Sequence, residues 1–444
     1  MRSPIPDFLD ETLERHRHDR SGAMADYIPD LAAADPNKLA ISISTLDGVL
    51  YDSGDSDFEF SIQSMSKPFI YGIALEALGI PAVLDKVGVE PTGEAFNELS
   101  LDKTSGKPLN PMINAGAITI HSLLGGENAT LAERTEIVRA GLSRFAGRQL
   151  RVDEHIAAGE WQQAYRNIAI ANMLRSYDVI TDDPDEVVQG YINQCSVLVS
   201  VRDLAMMAAT LAGGGVNPIT GERVLSPRVN RQVLGVMMTC GMYDAAGDWM
   251  TEVGVPAKSG VSGGLFGVLP GQVGIATYSP KLDKHGTSVR GAKIFRSLSA
   301  DLGLHIMNAP EPARSIIRRD RRFVDAKGDM VRIVSLQGLI QWSGAENVMR
   351  EIASPDDAID VFALDLRRVY SINEVARRMI VEALRRLGEE GKQVVLLDPE
   401  NSMGCSGPSS ALPGVEILES PKQLRDLDLR GLRRVRDDFA DQVS

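Results

Sequence analysis

The sequence predicts an α+β protein followed by a second, smaller α/β domain, and three observations carry that prediction. Strand patterns stand at both ends of the first 308 residues, with a long helical block between them. After residue 329 the pattern changes to a regular alternation of strand and helix over about 100 residues. At 444 residues the chain is also too long for one ordinary core.

Taken in order, residues 1–21 form a charged, polar leader, and a helical segment is expected around Tyr27 to Ala34. Residues 39–44 alternate, meet Asp47-Gly48 and return through Val49-Leu50-Tyr51, which is a hairpin signal. Residues 58–62 read as a short strand. From about 68 to 250 apolar residues recur at three- and four-residue spacing, as in 132–140 and 204–211, with Gly213-Gly214-Gly215 closing the latter helix. Strand signals return at 264–269 and 272–278, and a helix is expected near 289–307. Strands from both ends would build one antiparallel sheet, with a helical domain inserted between them. Residues 309–328, with two prolines and an arginine cluster, read as a linker. The smaller domain, 329–444, offers strands at 330–336, 360–366 and 393–398, helices at 344–353 and 372–387, and a terminal solvated helix over 421–442.

Composition narrows the function classes. Hydrophobic residues at 43% and charged residues at 24% are those of a globular protein. A net charge of −13 argues against nucleic acid as a partner. Cys195, Cys240 and Cys405 are scattered, without a C-x-x-C or a paired histidine, so neither a disulfide framework nor a structural zinc is expected. The six histidines show no ligand spacing; no metal and no cofactor are expected. The start of the chain has no apolar secretory core and no stretch reaches membrane-spanning length. The expected location is cytoplasmic, without a membrane partner.

Chemistry enters at Ser64-Met65-Ser66-Lys67, which opens an apolar helical run. An S-x-x-K at a helix start puts hydroxyl and amine about one turn apart. A serine hydroxyl needs a base, and a lysine of lowered pKa can serve. Alone the tetrad also fits a capped helix with a surface lysine. Lys258-Ser259-Gly260, ahead of the glycine-rich residues 261–264 and the returning strands, is the partner motif of S-x-x-K in serine β-lactamases and penicillin-binding proteins. Two Y-x-N segments, Tyr165-Arg166-Asn167 and Tyr191-Ile192-Asn193, could supply a middle motif, and the pattern does not choose between them.

At this point the chain resembles the serine-dependent glutaminases, which have a β-lactamase-like fold. The resemblance covers roughly residues 22–308. It rests on Ala25-Asp26-Tyr27-Ile28-Pro29, Gln63 to Lys67, Asn110 to Ala117, Tyr191 to Ser196, Met242-Tyr243-Asp244 and Lys258 to Gly264. It implies hydrolysis of L-glutamine to L-glutamate and ammonia without a cofactor. The matched positions imply Ser64 as nucleophile, Lys67 as its base, Tyr243 as proton relay and Tyr27 beside the reacting amide. They make the backbone N–H groups of Ser64 and Val261 the oxyanion hole. Gln63, Asn114, Glu160, Asn167 and Tyr191 fall on substrate-holding positions. The chemistry is consistent: an α-ammonium calls for a carboxylate, and an α-carboxylate for neutral or cationic donors. Glu160 and Asn167 are seven apart and so could share one helix face. Ser262 stands where the family commonly has glycine. A homodimer or homotetramer is expected from the same resemblance.

Residues about 329–430 resemble a STAS domain (sulfate transporter and anti-sigma-factor antagonist), through residues 334–338, 363–369 and the helix beginning at Ile372-Asn373-Glu374. In phosphorylatable members an acidic residue followed by serine or threonine opens that helix. Here Asn373 and Glu374 take those places, so a kinase-operated switch is not expected. An oligomerisation or packing module is one reading, and regulation by a ligand or partner is the other. For the whole chain the alternatives to a glutaminase are another serine acyl-transferase or β-lactam-recognising enzyme, and a non-catalytic glutamine sensor.

Overall fold

In the computed structural model the alternating residues near the N-terminus form β1 (Ala40–Thr45) and, after a turn, β2 (Leu50–Gly54), antiparallel with Ile43 opposite Tyr51. Gly48 at that turn has φ of +84°, which glycine adopts without strain. The structure describes residues 4–26, 28–93, 100–102, 104–126, 128–308, 316–325, 327–352, 358–404, 412–418 and 433–434. They fall into two units, Met1–Asn308 and Ala309–Ser444.

In the first unit β3 (Phe60–Ser61) pairs with β4 (Leu198–Val199) as a separate ribbon. The remaining strands are β5 (Ala257–Ser259), β6 (Gly264–Leu269) and β7 (Val273–Tyr278). The main sheet runs β2-β1-β7-β6-β5, antiparallel throughout. Its centre joins the two ends of the unit, with Ile43 opposite Ile275. All of β6 is buried, because helices cover both faces of the sheet.

Between the strands lie α3 (Ser66–Leu78), α4 (Ile80–Lys86), α5 (Asn114–Ser122), α6 (Leu131–Ala146), α7 (Glu154–Trp161), α8 (Tyr165–Ser176), α9 (Pro184–Cys195), α10 (Val201–Ala212), α11 (Pro227–Cys240) and α12 (Ala246–Glu252). They are preceded by α1 (Ile5–Arg17) and α2 (Pro29–Ala32) and followed by α13 (Val289–Leu302). Local chemistry explains several boundaries. Thr130 with Glu133, and Ser200 with Asp203, form capping boxes at the starts of α6 and α10, and Gly147 ends α6 in the left-handed conformation. One core packs Phe69 between Phe145 and Phe266, binding α3 and α6 to the sheet. On α10 the backbone itself approaches β7: a Cβ at Gly274 would lie 2.2 Å from the Ala209 nitrogen.

Two expectations are corrected in this unit. The polar leader over 1–21 is a helix of the first unit, since Leu9 and Leu13 of α1 are fully buried with Ile41, Leu265 and Phe295. The helix expected to 307 stops at Leu302, where Gly303 takes a left-handed conformation.

The second unit holds β8 (Ile317–Val324), β9 (Met330–Ile340), β10 (Val361–Ile372), β11 (Gln393–Leu397), β12 (Val415–Leu418) and β13 (Arg433–Arg434), in the order β12-β11-β10-β9-β8-β13. Strands β9 to β12 are parallel, joined where helices intervene by α14 (Trp342–Ile352) and α15 (Glu374–Glu389). Val348, Ile352, Ile380 and Leu384 of these helices bury against Val334, Leu364 and Leu396. The expected linker over 309–328 is corrected here: its described part contains β8, a strand antiparallel to β9. Of the helix expected over 421–442 only Arg433 and Arg434 are described, and they pair with β8 as a strand. The rest of that expectation, and Cys405, lie outside the described residues. Among the described residues no helix is long and apolar enough to cross a membrane.

Candidate active site

Ser64 sits in a single 3-10 turn, Gln63–Met65, wedged between β3 and α3, and Lys67 is the second residue of α3. Both side chains are buried. Gln63 has φ of +50°, an uncommon conformation for a side chain of its size and one that must be held from outside. Lys67 Nζ lies 3.1 Å from the Met112 carbonyl oxygen, 2.8 Å from Asn114 Oδ1 and 3.5 Å from the Tyr243 hydroxyl. Burial pushes the Lys67 amine down to about 7, against a weaker upward pull that includes Glu160. A neutral amine has two hydrogens and one lone pair. The two fixed acceptors take the hydrogens, leaving the lone pair for a hydroxyl.

Tyr243 reaches the same point from the other end of the unit. It opens a 3-10 turn after α11 with φ of +54°, and its hydroxyl is hydrogen-bonded to Ser64. Burial pushes its phenol up, so it carries its proton at neutral pH. Lys258, read from the sequence only as part of a motif, lies with Nζ 3.9 Å from the centre of the Tyr243 ring. Its amine donates to the Ser259 carbonyl at 2.8 Å, and burial, then Lys67, hold it well below the usual lysine range. The turn after β5 carries Val261, closed by Gly260 N–H to Gly264 O and Gly263 N–H to Gly260 O, both 2.9 Å. It lies against the serine turn: a Cβ at Gly260 would stand 3.2 Å from the Ile62 carbonyl oxygen.

The amide and carboxylate groups gather on Asn114, the first residue of α5. Asn114 Nδ2 donates to Asn167 Oδ1 at 3.0 Å, and Tyr191 donates to Asn114 Oδ1 at 3.4 Å. Glu160 accepts from Gln63 Nε2 at 3.0 Å, and burial of its carboxyl pushes it up to about 7. The seven-residue spacing of Glu160 and Asn167 does not place them on one helix. Glu160 lies in the last turn of α7 and Asn167 in the first turn of α8, with residues 162–164 between the two helices. The two Y-x-N segments each contribute one residue. Tyr165 is 77% exposed and Asn193 donates to Thr135 at 3.1 Å, while Asn167 and Tyr191 face Asn114. Tyr27 lies outside the described residues. Cys195 is a free thiol in the same cluster, and burial pushes its pKa up.

A serine hydroxyl beside buried amines of lowered pKa is chemistry suited to hydrolysis. The comparisons narrow that class. A family model described as Glutaminase matches residues 22–307. A glutaminase of Corynebacterium efficiens is 47% identical over 398 residues, covering 90% of this chain and 93% of its own length. One of Corynebacterium glutamicum is 48% identical over 398 residues, covering 90% and 95%. A solved structure described as Mglu superposes with a TM-score of 0.84 at 46% identity, over 90% of this chain and 99% of that one. A probable glutaminase from Bacillus subtilis complexed with 6-diazo-5-oxo-L-norleucine gives 0.63 at 34% identity, over 69% and 98%. The chain belongs to the glutaminase family, amidohydrolases acting on glutamine.

Proposed function

We propose that the chain hydrolyses the side-chain amide of L-glutamine through an acyl-serine intermediate on Ser64. The observation that carries the reading is the enclosed Lys67 amine, held near neutrality by burial between two fixed acceptors. The Ser64 oxygen attacks the amide carbon as its proton passes to Lys67. The oxyanion is held by the backbone N–H groups of Ser64 and Val261. The amide C–N bond then breaks as Tyr243 delivers a proton to the nitrogen, which leaves as ammonia. Water attacks the ester, its proton returns through the same groups, and glutamate departs. Glu160 receives the α-ammonium, while Asn114, Asn167 and Tyr191 receive the α-carboxylate.

Ammonia release by wild-type protein and by Ser64→Ala, with L-asparagine and a chromogenic β-lactam alongside, tests this reading. Turnover of glutamine is expected in wild type and a loss in the variant. Turnover surviving in Ser64→Ala would sink it. A pH series is a second check. Lys67 is a base only as the free amine, and Glu160 holds an ammonium only as the carboxylate. Both forms gain as pH rises through about 7. kcat/KM is therefore expected to climb from about pH 5.5 to 8, and a flat profile over that range would remove Lys67 as the base.

The second unit fits a STAS-like module that serves oligomerisation or regulation by a ligand or partner. Asn373 caps α15 by accepting from Ala376 N–H, and Glu374 pairs with Arg377 at 3.0 Å. Those positions offer no hydroxyl to a kinase. A homodimer or homotetramer remains the expected assembly.

A further inference from the structure

Behind the site, the helices that carry it are tied together by a chain of buried side chains with no part in the chemistry above. His121 lies two turns along α5 from Asn114, Gln194 lies one turn along α9 from Tyr191, and Ser66 precedes Lys67 on α3. All three are at most 1% exposed. His121 Nδ1 is 3.1 Å from Gln194 Oε1, Gln194 Nε2 is 3.0 Å from Ser66 Oγ, and Ser66 Oγ is 2.9 Å from the Gln63 carbonyl oxygen. A carbonyl oxygen only accepts, so every proton in the chain is assigned from that end. Ser66 donates to Gln63, Gln194 donates to Ser66, and His121 donates through Nδ1 to Gln194. The other ring nitrogen, Nε2, has no partner and faces Gly190, where a Cβ would lie 2.2 Å away. Burial pushes the His121 pKa down to about 4, so the ring stays neutral and keeps that single tautomer.

We propose that Ser66, Gln194 and His121 are positioning residues that aim the Ser64 backbone N–H at the developing oxyanion. The peptide between Gln63 and Ser64 is planar and trans, so its C=O and N–H point in opposite directions. Anchoring the oxygen in the interior turns the N–H the other way. The Gln63 carbonyl oxygen also accepts from the Ser66 backbone N–H, so the Ser66 hydroxyl is a second donor that fixes the oxygen's direction beyond the turn's own bond. The inference rests on the acyl-serine reading, since only there does an oxyanion form beside Ser64.

Ser66→Ala and Gln194→Met break the chain at two different links without touching the reacting atoms. Loss of a whole oxyanion donor costs about 10²–10³ in kcat, and misdirection of one is expected to cost about 10- to 100-fold. The oxyanion exists only in the transition state, so KM for glutamine is expected to stay within about threefold. Thermal melts on the same samples separate this from unfolding, and Gln194→Met carries the test if Ser66→Ala melts early. kcat within about twofold of wild type in a folded variant, with Ser64→Ala inactive, would overturn the inference while leaving the acyl-serine reading intact. A parallel loss of kcat and rise of KM that tracks the drop in melting temperature would overturn it in favour of a simple packing brace. Turnover surviving in Ser64→Ala removes the acyl-serine reading itself, and this inference with it.

Discussion

Lys67→Met is expected to lower kcat by about 10³-fold while leaving a folded protein. The side chain is fully enclosed, with its amine placed by the Met112 carbonyl and Asn114 and within 3.5 Å of the Tyr243 hydroxyl. Methionine fills a similar volume and supplies no lone pair of comparable basicity, so Ser64 keeps its proton. Two effects on stability oppose each other. The variant no longer has to bury an ionisable amine, which favours it. It removes the Lys67 donor from the Met112 carbonyl, while Asn114 Oδ1 keeps Tyr191, and an unmet buried acceptor costs about 1–3 kcal/mol. The melting temperature is therefore expected to stay within several degrees of wild type. Steady-state ammonia release and a thermal melt on one preparation check both halves. A kcat within about tenfold of wild type would mean that another group takes the serine proton.

Glu160→Gln is expected to act on binding rather than on chemistry. On the proposed reading its carboxylate meets the α-ammonium, and Gln63 donates to that carboxylate at 3.0 Å. Removing one partner of a desolvated charge pair costs about 2–5 kcal/mol, and the lower half applies because the glutamine side chain placed there keeps an oxygen that can still accept from the ammonium. About 2–3 kcal/mol corresponds to a rise in KM of about 30- to 150-fold, with kcat changed less than about fivefold. The loss also removes an upward pull on the Lys67 amine, so the alkaline rise of kcat should begin at lower pH than in wild type. An unchanged KM with a collapsed kcat would place Glu160 with the catalytic groups instead.

Much of the fold is legible in the sequence, and the elements that are not share a cause. The hairpin at Asp47-Gly48, the strands at 264–269 and 272–278, and the helices around 132–140 and 204–211 are written in short-range signals: alternation, turns and three- and four-residue apolar spacing. Helix α1 was missed because its leucines sit in a charged segment whose apolar partners, Ile41 and Leu265, are distant in sequence. Strand β8 was missed because Arg318, Arg319, Arg321 and Arg322 look like a linker. It pairs through its backbone with β9 and leaves Arg319, Asp320, Arg321 and Arg322 exposed, so no apolar alternation marks it. The Glu160–Asn167 face failed because spacing alone does not reveal a break between two helices.

The site divides in the same way. Residue types and motif order determined which groups were available: a hydroxyl and an amine one turn apart, a second lysine beside a strand, and two Tyr-Asn pairs. The resemblance they carried was enough to reach the family. The Y-x-N pattern did not choose between the pairs and the resemblance drew Asn167 from one and Tyr191 from the other; only the tertiary structure shows both meeting Asn114. Only it brought Tyr243 to Lys67 across 176 residues, and closed the chain from His121 to the Gln63 carbonyl. The physical reason is range. Propensity, capping and periodicity act within a turn or two of chain. The lowering of a lysine pKa and the aim of a peptide N–H depend on desolvation and hydrogen bonds from segments that meet only in the folded core.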